Sequence, residues 1–184
     1  MLDLLIINGL VVTQNQKREI KQVNIGIKDG IITYLGNEII PSNQLINVEE
    51  YILLPAFLNA HIHFGEYFLR GYKENLSTEE YILLGEKFHD KFKEINDEIR
   101  NSSINNVVLE SIQNGTLTVF GVRGWPNVFK FPVNAFLGYP MMNSKKLKDY
   151  KIDFEEKFNS LQKIGNVEYF VGLHSVKWID EGAL

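Results

Sequence analysis

Two histidines one residue apart, His61 and His63, carry the strongest chemical signal in this chain of 184 residues. They close an apolar run, Leu53-Leu54-Pro55-Ala56-Phe57-Leu58-Asn59-Ala60-His61-Ile62-His63-Phe64. Imidazole nitrogens are good donors to borderline cations such as zinc. Along a strand successive side chains alternate faces, so Phe57, Asn59, His61 and His63 share one side. Leu58, Ala60, Ile62 and Phe64 share the other. A strand apolar on its outer face, with polar groups only at the C-terminal end of its inner face, suits a parallel barrel strand covered by helices. Such barrels gather their active sites at that end. A histidine pair near a strand end also occurs as ordinary hydrogen-bonded polar residues, so the spacing alone leaves metal binding and a structural pair both open.

The surroundings add weight. Pro55 fixes the entry to the strand, Asn59 places a polar group just inside it, and Arg70-Gly71 follows shortly afterwards. The run "LPAFLNAHIH" with "FLRG" resembles the metal-binding signature of the amidohydrolase superfamily. The match is closest to its branch of chlorohydrolases and aminohydrolases acting on purines, triazines and related rings. Members of that branch carry a strand like "LPGF-NAHTH", then an "LLRG" turn. Ala56 replaces the usual glycine and leaves the ligands untouched.

Composition narrows the classes. The chain is 45% hydrophobic and 23% charged, which is ordinary globular composition. A net charge of −4 argues against nucleic acid or an anionic membrane as partner. Cysteine is absent, which excludes a disulfide framework, a thiolate metal site and thiol catalysis. An acid stands at Asp3, where a secretory signal would be basic, and no apolar stretch reaches spanning length. The expected location is cytoplasmic.

The remaining elements must position the pair. Residues 3–40 read as short strands: Asn8-Gly9 as a hairpin turn between Leu4–Ile7 and Leu10–Thr13, and Asp29-Gly30 as a turn into Ile31–Leu35. Pro41 to Glu50 reads as a polar connector. The layout resembles the small β-sandwich that precedes the barrel in the amidohydrolase family. From about Tyr51 the pattern changes to alternating strands and helices. Ser77-Thr78-Glu79-Glu80 is a capping box, followed by a stripe of Tyr81, Leu84, Phe88 and Phe92, with His89 just off it as a surface residue. A second helix starts near Asp97, buries Ile104, Val107, Val108 and Ile112, and stops at Gly115. Thr116–Val122 is the second barrel strand, and Phe131 to Tyr139 can supply a third. A helix opening at Asp153 with Gly165 as its stop leads to Val167–Leu173, which ends at His174.

These pieces predict an α/β chain: a small β-sandwich portion over 1–50, then the first half of a TIM-like (β/α)8 barrel over 51–184, incomplete because a whole barrel takes about 250 residues. The resemblance implies a divalent metal, zinc or else iron, held by His61 and His63, and a small ring or amide substrate contacted by His174 and Arg70. It implies hydrolysis of a carbon–nitrogen bond by a metal-activated water, with deamination of a ring the leading reaction. The "NGTLTVFGVRG" strand is similar to the family's "GTTTVVDM", and Gly121 stands near the family's aspartate, leaving Arg123 as a substitute or as a solvated side chain. In several aminohydrolases of the branch a glutamate after the first long helix holds a ring edge; here that position falls at Phe92, with Glu94 nearby. The family's third metal histidine and its acid–base residues are expected beyond Leu184, so no catalytic residue is assigned in the chain itself. The chain is then a truncated or split part, inactive alone and requiring a complementing C-terminal half, or an inactive remnant or half-barrel binding module. Open sheet edges favour self-association in either case.

Overall fold

The computed structural model describes residues 1–64, 97–123, 132–141 and 165–173, with positions 67, 70–72, 74–77, 79–81, 83–84, 155–156 and 158–161 between them. The chain divides into two compact units, Met1–Pro55 and Ala56–Leu184.

The first unit is a sheet of five strands: β1 (Leu2–Val12), β2 (Ile20–Lys28), β3 (Ile31–Gly36), β4 (Ser42–Asn47) and the short β5 (Ile52–Leu53). Their order is β3-β2-β1-β4, with β5 also paired to β1. Leu2, Leu5, Val11 and Ile25 form the buried apolar positions. Asp29 and Gly30, at φ 51° and 75°, make the expected turn between β2 and β3.

Three expectations fail along this unit. Asn8-Gly9 is not a hairpin turn: β1 runs through it and pairs antiparallel with β2 on both sides, with a register shift between Ile6 and Gly9. Asn8 does take the positive φ, 63°, that its type favours. A bulge absorbs that φ, and the Asn8 N–H donates to Asn24 Oδ1 at 3.1 Å. The reversal falls instead at Thr13–Glu19, where the Thr13 N–H donates to the Glu19 carbonyl at 3.1 Å and the Asn15 side chain accepts from the Lys17 and Glu19 amides. Pro41 to Glu50 is not a bare connector either, since β4 lies within it and pairs parallel to β1. Its side chains are almost all exposed, so composition read the solvent correctly while the backbone ladder supplied the strand. Ile52 and Leu53 also pair with β1, so the strand bearing the histidines starts at Phe57 rather than near Tyr51.

The second unit is α/β. Four parallel strands, β6 (Phe57–His63), β7 (Thr116–Arg123), β8 (Asn134–Met141) and β9 (Val167–Leu173), are ordered β6-β7-β8-β9. Among the described residues the long helix α1 (Asp97–Gln113) leads into β7. It forms where expected: Ile104, Val107 and Val108 are buried on one face, and Gly115 at φ 75° ends it with its N–H on the Ile112 carbonyl. That face packs on Phe64, Val119, Val133, Ala135, Leu137 and Val167 to make the core. The opposite side of the sheet carries Phe120 stacked on Phe136, centroids 4.5 Å apart, with Phe170 tilted against Phe120. The capping box is present, with the Ser77 hydroxyl and amide both donating to Glu80 Oε2 and the Glu80 amide donating back to Ser77 Oγ. Phe88, His89 and Phe92 lie outside the described residues. Among the described residues no helix is long and apolar enough to cross a membrane.

Candidate functional site

His63 is the last residue of β6, an edge strand of the parallel sheet among the described residues. Strict alternation does not run the length of that strand. Its pairing with β7 shifts register after Phe57, between Asn59 and Ile62, and again before His63. One cause is local: the His61 N–H donates to Asn59 Oδ1 at 3.1 Å, a side-chain acceptor that competes with the ladder.

The two imidazoles nevertheless converge. His61 Nε2 and His63 Nε2 lie 3.0 Å apart, with the rings stacked at 5.0 Å between centroids and 20° between planes. His61 is exposed and His63 half-buried. At that separation at most one of the two nitrogens can carry a proton, because two N–H donors would face each other. The pair is therefore either one N–H···N hydrogen bond or two lone pairs turned on a common cation. Nitrogens that each lie about 2.0–2.1 Å from one zinc ion must be within about 4 Å of each other, and this pair satisfies that condition. Among the described residues no group of three or more histidine, cysteine or carboxylate side chains gathers as a metal site.

Next to His63, the Phe64 ring is fully buried against α1 and β7. Gly121, the residue standing near the family's aspartate, faces that ring: a Cβ there would lie 2.7 Å from Phe64 Cδ2 and closer still to Cε2. After the strand, the guanidinium of Arg70 pairs with Glu110 of α1 and lies 4.5 Å above the Tyr67 ring. Glu110 raises the pKa of Arg70 further above its ordinary value through that hydrogen bond. Gly71, at φ 78°, makes the turn that follows. A cavity of about 460 Å³ opens between this turn and α1, lined by Asn59, His63, Tyr67, Arg70, Glu110 and Asn114.

The structure thus pairs His61 with His63 and sets His63 and Arg70 on one cavity. His174, Phe92, Glu94 and the side chain of Arg123 lie outside the described residues. Sequence reasoning missed Tyr67 and Glu110, the partners of Arg70. Glu110 lies 40 residues from Arg70, and nothing local distinguishes it from any other helix-surface acid.

No family model matches the chain. Individual relatives do. A 5-methylthioadenosine/S-adenosylhomocysteine deaminase of Caldicellulosiruptor saccharolyticus is 30% identical over 125 residues, 65% of this chain and 29% of that protein. The enzyme of the same name from Pyrococcus furiosus is 22% identical across 98% of this chain and 47% of its own length. These likenesses support the amidohydrolase superfamily, in its aminohydrolase branch, as the group of enzymes this chain is similar to. Solved structures agree on the fold. An atrazine chlorohydrolase variant from Arthrobacter aurescens TC1, complexed with zinc and atraton, superposes with a TM-score of 0.76 at 16% identity over 98% of this chain. Guanine deaminase from C. acetobutylicum, with bound guanine, gives a TM-score of 0.74 at 15% identity over the whole chain. The chain spans 48% of each of these two proteins and less than half of both deaminase relatives.

Proposed function

We propose that this chain is the cation-binding first part of a hydrolase that cleaves carbon–nitrogen bonds, its leading reaction the deamination of a small ring. The observation that carries this reading is the 3.0 Å convergence of His61 and His63 Nε2 at the end of β6, in a chain similar to this superfamily. In this reading the sheet β6-β7-β8-β9 is the first half of a TIM-like barrel, and the first unit contributes to a small β-sandwich. The ion is divalent, zinc before iron, and when bound it supplies the Lewis acidity that makes water nucleophilic near neutral pH. His61 and His63 hold it as neutral imidazoles, each offering the Nε2 lone pair. Asn59 supports them by fixing the His61 amide. In this reading Arg70, oriented by Glu110 and Tyr67, and His174 are the residues that contact substrate.

Catalytic zinc sites normally use three protein donors, and the described residues contribute two. The remaining donors and the acid–base groups belong, in this proposal, to the part of the relatives that these 184 residues do not span. Mixing the purified chain with a polypeptide covering that part of a close relative, with zinc, tests the assignment. Zinc uptake followed by turnover of an aminopurine is the expected result. Cation binding by the mixture with no turnover of any amine or amide ring would instead favour a non-catalytic binding module.

A further inference from the structure

We propose that Phe64, locked into the notch left by Gly121, is a positioning residue that sets where His63 presents its Nε2. The inference rests on the reading of the histidine pair as a cation site and goes beyond it by saying what holds the pair.

The backbone ladder alone is a poor guide for His63, because the register of β6 on β7 shifts on both sides of Ile62. A strand whose pairing slips needs a side-chain anchor to fix which way each residue points. Phe64 follows His63 directly and is the largest fully buried side chain among the described residues. Its ring packs with Ile104, Val107 and Val108 of α1 and with Val119 of β7. The space for the ring exists only because residue 121 has no side chain, since a Cβ there would overlap Cε2 and Cδ2 of the ring. Gly121 is also the strand partner of Ile62, so the notch and the ladder meet at one point. Phe64 turns out of the strand directly after His63, in a tight helical turn. Seating its ring in the core therefore pins the backbone on which His63 stands, with the His63 ring held 5.0 Å from that of His61.

The test uses the 184-residue chain and three variants: Gly121→Ala, Phe64→Leu, and the two combined. Leucine lacks the Cε2 atom that a Cβ at residue 121 would meet most closely, and its Cδ atoms can swing aside with a change of rotamer, so the combined variant relieves most of the overlap that Gly121→Ala creates. Cobalt(II) affinity, measured on folded protein, should fall by about 10–100-fold in Gly121→Ala, the usual consequence of disturbing a ligand's support. The combined variant should recover most of that loss, which simple destabilisation would not produce. Phe64→Leu alone empties the notch and should also weaken binding, and it carries the test if Gly121→Ala fails to fold. Wild-type affinity in whichever single variants fold would overturn the proposal. The cation-free chain gives a second readout, the ring-nitrogen chemical shifts of His61 and His63. In Gly121→Ala they should lose the signature of a paired Nε2···Nε2 contact and move to those of independent imidazoles. If wild-type chain binds no cobalt, the cation reading falls and this readout alone decides the positioning role, with unchanged shifts overturning it.

Discussion

At the scale of single residues, His61 and His63 are distinguished by what they share. Their Nε2 atoms are 3.0 Å apart, so either ring alone leaves half a site. Replacing either one by alanine should weaken zinc binding by at least about tenfold, as loss of a supporting group already does. Replacing both should add little more, since neither retains a partner; calorimetric titration of the three variants checks this. Glu80 offers a pH test at the same scale. Hydrogen bonds from the Ser77 hydroxyl and amide hold its carboxyl below the usual range by favouring the charged form. A depressed pKa in the folded chain contributes stability above the unfolded value and loses it as pH falls through the folded one. The helical start at residues 79–81 should therefore loosen only below the ordinary carboxylate range, and the Glu80 carboxylate resonance should titrate there. In Ser77→Ala its midpoint should rise toward that of an ordinary glutamate.

At the scale of elements, legibility in the sequence followed the kind of signal. Helix α1 was readable because its apolar face recurs at helical spacing and Gly115 supplies the stop. The capping box was readable because both partners lie three residues apart, and β7 and β9 because apolar and β-branched residues dominate each. What failed were elements decided by distant pairing. Asn8-Gly9 has the composition of a hairpin turn, yet the reversal belongs to Thr13–Glu19, where Asn15 caps the loop. β4 was hidden because an edge strand needs ladder partners, not buried side chains. In β6 the histidine pair was legible, while the register shifts that break its alternation arise in the pairing with β7 and beside the Asn59 side-chain acceptor, which no local pattern announces. The partner of Arg70 was equally invisible, since Glu110 reaches it only through the fold. Glu110→Gln should leave that helix surface folded while releasing the guanidinium from its carboxylate. Faster exchange of the Arg70 Nη2 protons in NMR would show it.

At the scale of the molecule, the four-stranded parallel sheet and α1 share one core, with Leu137 of β8 fully buried in it. Leu137→Ala should lower stability by about 2–5 kcal/mol through lost burial and a residual cavity, read from urea unfolding. Edges of a parallel sheet present unpaired backbone groups that attract other strands, and here those edges are β6 and β9 among the described residues. The account therefore expects the isolated chain to self-associate and to show no deaminase turnover, while still engaging zinc through β6. The most direct measurement of the central claim is a zinc titration followed by nitrogen NMR of the histidine rings. The account predicts that the Nε2 resonances of His61 and His63 shift together, with one zinc dependence. Movement of only one ring, or of the two at separate zinc concentrations, would contradict a shared site.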